Sequence, residues 1–228
     1  MDAAIAVLGR DVLCILNGVG IYMDASIHCS FHDVHGSHND TYGWQLVTNC
    51  RRIGLLDCWG HNNGKAGVSG MGFYIDSSQY VRMIGCQASE DEVSHGILIN
   101  GGANHVIQGC VIEGNEGDGI RLNVCWDCIV EGNQFKDNDV LNTGLRDGIA
   151  VYGGGYHIIK ANRCKENDNY EILMDNDTVN NIVEGNDVTG TDHNGTISPG
   201  TGTTHIIRNN VSYVTEKSGT GSILSGAT

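Results

Sequence analysis

The feature that most restricts this chain is a four-residue pattern of glycine, apolar, any, apolar, which returns along nearly its whole length. It reads Gly20-Ile21-Tyr22-Met23, Gly43-Trp44-Gln45-Leu46, Gly72-Phe73-Tyr74-Ile75 and Gly96-Ile97-Leu98-Ile99. It continues as Gly119-Ile120-Arg121-Leu122, Gly148-Ile149-Ala150-Val151, Glu171-Ile172-Leu173-Met174 and, degraded, Gly195-Thr196-Ile197-Ser198. Successive starts lie 23, 29, 24, 23, 29, 23 and 24 residues apart. A second apolar segment follows each start, as in His105-Val106-Ile107-Gln108, Cys128-Ile129-Val130-Glu131 and His157-Ile158-Ile159-Lys160. Units this short cannot bury an apolar face alone and must stack on their neighbours. No long segment keeps a 3.6-residue apolar period, so helices should be few.

Stacking places equivalent residues about 4.8 Å apart, the spacing between strands of a sheet. Period-two alternation then gives two inward ladders. One is Ile21, Trp44, Phe73, Ile97, Ile120, Ile149 and Ile172; the other is Met23, Leu46, Ile75, Ile99, Leu122, Val151 and Met174. Tyr22, Tyr74, Arg121, Asn100, Asn123 and Tyr152 should face outward. A turn column of Asn133, Asn162, Asn186 and Asn210 can bond along the stack, continued upstream by Cys58, Cys86 and Cys110. The expected fold is all-β: a parallel β-helix of about eight rungs, roughly 40 Å long, with three short parallel sheets. Residues 1–19 form a cap or irregular first rung, 20–218 the solenoid, and 219–228 a tail that begins a downstream domain.

Composition narrows the partners. The 228 residues include 33 Gly and one Pro, without the G-X-Y period of collagen, which fits many tight turns. A net charge of −14 argues against nucleic acid, and no apolar run is long enough to span a membrane as a helix. The nine cysteines are an odd number spread over a long chain, so buried free thiols are expected rather than a disulfide scaffold. The first residues, Met1-Asp2-Ala3-Ala4-Ile5, do not have the basic start and apolar run of a signal peptide.

With this repeat, the chain resembles the right-handed parallel β-helix proteins of the pectate-lyase-like superfamily, over roughly residues 12–215. The resemblance implies the fold; its members include lyases, hydrolases, epimerases, phage tailspikes and non-catalytic adhesins. It implies a polysaccharide or glycan partner, a monomer or homotrimer, and an extracellular or virion-surface setting for the parent protein.

The residue before the first strand reads His95, Asp118 and Asp147 on three successive rungs. Two close carboxylates push their pKa values apart and can act as acid and base, with His95 assisting. Arg121 and Arg146 would hold a substrate carboxylate or hydroxyl, and Tyr74 and Tyr152 would stack on sugar rings. The alternative is turn chemistry, with Asp accepting backbone N–H groups and the following Gly supplying a positive φ. The hydrolase and epimerase signatures of the resembled families are absent as sets. Insertions at 61–69 and 138–146 project beside the same sheet.

Metal readings are weaker. Cys125-Trp126-Asp127-Cys128 with His105 and His157 offers four ligand types, but strands should hold these side chains in a row, so we assign them to the core and turns. Glu90-Asp91-Glu92 makes Ca²⁺ the alternative to no cofactor, against a solvated turn. His28, His32, His35 and His38 read as surface loop residues. The expected function is polysaccharide binding or processing along the first sheet, of lyase, hydrolase or epimerase type. The alternative is a non-catalytic segment of a tailspike, fibre or cell-surface protein.

Overall fold

The computed structural model describes residues 8–65, 67, 70–92, 94–141, 144–189, 195–200 and 205–211. The expected tail at 219–228, the first seven residues of the expected cap and parts of both insertions lie outside them. Among the described residues there is no helix, and every strand pairing is parallel.

Each rung winds through three faces. The first carries Val19–Asp24, Tyr42–Val47, Met71–Asp76, Ile97–Asn100, Ile120–Trp126, Ile149–Gly155, Tyr170–Met174 and Gly195–Ser198, an eight-stranded sheet. The second runs from Arg51–Leu56 to Ile206–Arg208, and the third from Trp59–His61 to Arg163–Lys165. The second and third faces are one continuous sheet, because Ser30–Ser37 crosses the corner and pairs with both Arg51–Leu56 and Trp59–His61. Leu8–Ile15 adds a parallel strand to Ser30–Ser37.

Both inward ladders form in the expected register, from Ile21↔Trp44 through Ile97↔Ile120 to Val151↔Met174. Trp44 stacks on Phe73 at 5.9 Å and donates its indole N–H to the Trp59 carbonyl at 3.0 Å, so the largest ring of the core leaves no polar atom unpaired. All nine cysteines are free thiols, and all but Cys14 are buried.

Stacked asparagines seal two corners. At the expected column each backbone N–H and Nδ2 donates to Oδ1 of the next rung, from Asn133 through Asn162 and Asn186 to Asn210. Cys110 joins from below through its N–H to Asn133 Oδ1 at 2.8 Å. A second column, not anticipated from the sequence, runs Asn39, Asn63, Asp91, Asn115, Asn138 and Asn167 at the corner between the third and first faces.

This second ladder explains the repeat glycine. A Cβ on Gly20, Gly43, Gly96, Gly119 or Gly148 would lie 2.7, 2.9, 2.7, 2.8 or 2.7 Å from the Nδ2 of a ladder asparagine. The glycines are there because nothing larger fits; none of these five has a positive φ, which corrects the turn role expected for Gly119 and Gly148. Glu171 breaks the series where its carboxylate itself accepts from Asn167 Nδ2.

Candidate functional site on the first face

The turn before the first-face strand brings His95, Asp118 and Asp147 into one column, with Tyr170 above them. Asp118 donates its N–H to His95 Nδ1 at 3.0 Å, Asp147 donates its N–H to Asp118 Oδ1 at 3.0 Å, and Tyr170 donates its N–H to Asp147 Oδ1 at 3.0 Å. Each carboxylate therefore uses Oδ1 to tie one rung to the next. Its Oδ2 is buried without a hydrogen-bond partner. Asp118 Oδ2 lies 3.2 Å from His95 Nδ1 and 3.8 Å from the Arg121 guanidinium.

The column is enclosed: His95 is 8%, Asp118 1% and Asp147 0% exposed. Burial and, less strongly, Arg121 and Arg146 lower the His95 pKa to about 3, so the ring is neutral. Since Nδ1 accepts the Asp118 N–H, the ring proton is on Nε2. Burial raises Asp118 to about 6, against the pull of the Asp147 N–H and of both arginines. Burial, reinforced by the charge of Asp118, raises Asp147 to about 8. At pH 7 the pair is thus one carboxylate and one carboxylic acid.

Arg121 and Tyr152 form the outer wall. The guanidinium carbon sits 4.1 Å from the centre of the Tyr152 ring, a cation–π contact that keeps Arg121 over the acids. Burial, then the charges of Asp118 and Asp147, raise the Tyr152 pKa to about 12, so the phenol keeps its proton. Arg146 is the last residue of the second insertion and acts on both His95 and Asp118.

Tyr74 does not join this group. It stacks on Tyr42 at 5.2 Å, and Leu98 separates it from Arg121 in their outward column. Two residues not singled out from the sequence belong to the site. Asn169 donates from Nδ2 to Asp147 Oδ1 at 2.8 Å, and the charge of Asp139 acts on Asp118. Asn169 stands just before the residue in register with Asp147, a signal that extending the column by one rung would have given.

The remaining candidates separate. The carboxylates of Glu90, Asp91 and Glu92 do not converge: Asp91 turns inward to the asparagine ladder, Glu90 lies 3.9 Å from His61, and Glu92 pairs with Lys65. The four histidines also diverge, with His28 on Arg52, His32 on Asp57, His35 stacked on Trp59 at 4.8 Å and His38 against His61.

Stacked parallel rungs with an acid column on one face define a parallel β-helix protein. The chain matches the family described as right handed beta helix region over residues 71–227 and belongs to it. Among solved structures it is similar to the A-module of the mannuronan C-5 epimerase AlgE6 of Azotobacter vinelandii, at 20% identity and a TM-score of 0.74, covering 92% of this chain and 59% of that one. It is similar to the T265N mutant of the periplasmic alginate epimerase AlgG at 15% identity and a TM-score of 0.56, covering 89% of this chain and 59% of that one. A third, the Dettilon tailspike protein gp208, matches at 14% identity and a TM-score of 0.51, covering 86% of this chain and 43% of that one. The chain thus spans less than two thirds of the length of these structures. No curated protein is significantly similar in sequence.

Proposed function

We propose that this β-helix acts on an acidic polysaccharide laid along its first face, with proton transfer from the sugar to Asp118 and from Asp147 to the sugar. The observation that carries the reading is the pair of stacked, buried carboxylates with pKa values of about 6 and about 8, beside Arg121. Such a pair supplies a base and an acid at one pH. Arg121 and Arg146 bind a sugar carboxylate, which acidifies the hydrogen on the adjoining ring carbon. Engaging Arg121 draws it off Asp118, whose Oδ2 takes that proton. Asp147 Oδ2–H, in the same column and so on the same side of the sugar, gives a proton to the departing glycosidic oxygen, breaking the chain. His95, neutral and bonded to the Asp118 N–H, positions the base. The arginines also answer the net charge of −14, which otherwise repels a polyanion. The similarity to two alginate epimerases supports a uronate-containing substrate.

A specific observation favours a second reading, a structural solenoid such as a tailspike segment. Both acids tie rung to rung through Oδ1 and are almost wholly enclosed. Incubation with uronic-acid and neutral polysaccharides, with Asp118→Asn and Asp147→Asn alongside, separates the two. Proton exchange at the sugar ring or unsaturated ends, lost in both variants, supports the catalytic reading. No product from folded wild type, with both variants at least as stable as wild type, sinks it.

A further inference from the structure

Cys125 is the penultimate residue of the first-face strand Ile120–Trp126, and Cys128 directly precedes the second-face strand Ile129–Glu131. The sharp corner between them turns both side chains into the core, where their sulfurs lie 3.7 Å apart and both residues are fully buried. His105 and His157 stand in the same column as Cys128, one rung below and one above, joined by Ile129 N–H to His105 O and Ile158 N–H to Cys128 O. Strands alone would place these side chains in a row. Cys125 lies off that row, so the set closes in three dimensions.

We infer that Cys125, Cys128 and His157 form a buried thiolate–imidazole site for one zinc-class metal ion that ties two adjoining rungs together. Sulfur and nitrogen donors of all three residues lie within 4.8 Å of one another, and the described residues contain no other such group of three. Two sulfurs at about 2.3 Å from a tetrahedral zinc are about 3.8 Å apart. A thiol–thiol contact has the same spacing, so the His157 imidazole decides the matter. His157 Nε2 is buried with no hydrogen-bond partner, and Nδ1 only accepts the Cys128 N–H at 3.2 Å. A metal on Nε2 gives that buried atom the partner it otherwise lacks.

Binding releases one proton from each thiol to water, and a divalent ion with two thiolates and a neutral imidazole carries no net charge, which suits the dry interior. Ligation by His157 Nε2 puts the ring proton on Nδ1, so the 3.2 Å bond from the Cys128 N–H is given up. The Cys58, Cys86 and Cys110 stack offers only one thiol per rung and no imidazole, so it serves as the internal control.

The test is to refold the reduced chain without oxygen in the presence of Co²⁺, desalt it, and record its spectrum and metal content before and after adding Zn²⁺. One metal per chain is expected, with tetrahedral cobalt bands and thiolate charge transfer that Zn²⁺ erases, and a thermal midpoint that falls on adding a chelator. Cys128→Ser should abolish the bands and Cys86→Ser should keep them. His157→Asn guards against a misfolded serine variant, because Asn181 in the same column already accepts a backbone N–H through Oδ1. It should fold and lose the bands. A folded wild type that retains no cobalt or zinc overturns the inference, as do bands that survive in a folded His157→Asn protein.

Discussion

Replacing Asp91 with Asn should stabilise the protein, increasingly so as pH rises. Asp91 is the single acid in a ladder of asparagines. Its Oδ1 accepts from Asn63 N–H at 3.0 Å and Asn63 Nδ2 at 2.9 Å, as an amide oxygen would. Its Oδ2 takes the amide position: a Cβ on Gly72 would lie 2.7 Å from it, matching the distances from the other repeat glycines to Nδ2. At the neighbouring rungs that Nδ2 donates to a third-face carbonyl, Gly36 O for Asn63 and Ala88 O for Asn115. Gly60 is in register with both carbonyls, so Asp91 needs a proton on Oδ2 to do the same. Burial raises its pKa well above the ordinary carboxylate value, outweighing the donors Asn63 and Gly72. The folded state therefore keeps a proton that the unfolded chain loses above about pH 3.9. Stability contributed by this group falls as pH rises from there to the folded pKa, by about 1 kcal/mol per pH unit. Asparagine removes that dependence. Urea unfolding of both proteins at about pH 4.5 and about pH 6.5 isolates it, because every other titrating group cancels in the difference. The gain should grow across that interval by about 1 kcal/mol per pH unit for as long as the folded Asp91 stays protonated, or about 3–5 °C in thermal midpoint per unit. A variant less stable than wild type, or a difference that does not change with pH, would refute the protonated-ladder argument.

Turnover, once a substrate is in hand, should follow a bell in pH, rising through about 6 as Asp118 ionises and falling through about 8 as Asp147 loses its proton. A profile that stays flat below about 6 and above about 8 would exclude the pair. Gly119→Ala should cost about 1–3 kcal/mol in denaturant unfolding, since its Cβ would meet Gly148 O at 2.6 Å and Asn138 Nδ2 at 2.8 Å. Gly132→Ala, at φ +64 with nothing within 4 Å, isolates the backbone strain and should cost about 1–2 kcal/mol. Val124 is a β-branched residue at φ 49 between Gly101 and Gly153 on the adjoining rungs. Relief of left-handed strain exceeds the entropy of the added glycine, so Val124→Gly should raise the thermal midpoint by the equivalent of about 0.5–1 kcal/mol.

The repeat made the architecture legible before any coordinates. Strand pairing is a local rule applied at a fixed period, so reading Gly119-Ile120-Arg121-Leu122 against Gly148-Ile149-Ala150-Val151 already gives the register, the two core ladders and the column of His95, Asp118 and Asp147. The asparagine column from Asn39 to Asn167 stayed hidden because the insertions at 61–69 and 138–146 fall between a ladder residue and the next repeat glycine, so its spacing from that glycine varies. Tyr74 looked like a partner of Tyr152, but the two share a face without sharing a neighbourhood. What the sequence determined by itself was the set of residues that stack, because stacking depends on order along the chain. The tertiary structure alone decided burial and the direction of each polar atom. Those put Asp91 in an amide's place in the ladder, push the pKa values of Asp118 and Asp147 apart, and bring Cys125 to Cys128 across a corner, since each depends on how closely three faces of one coil approach.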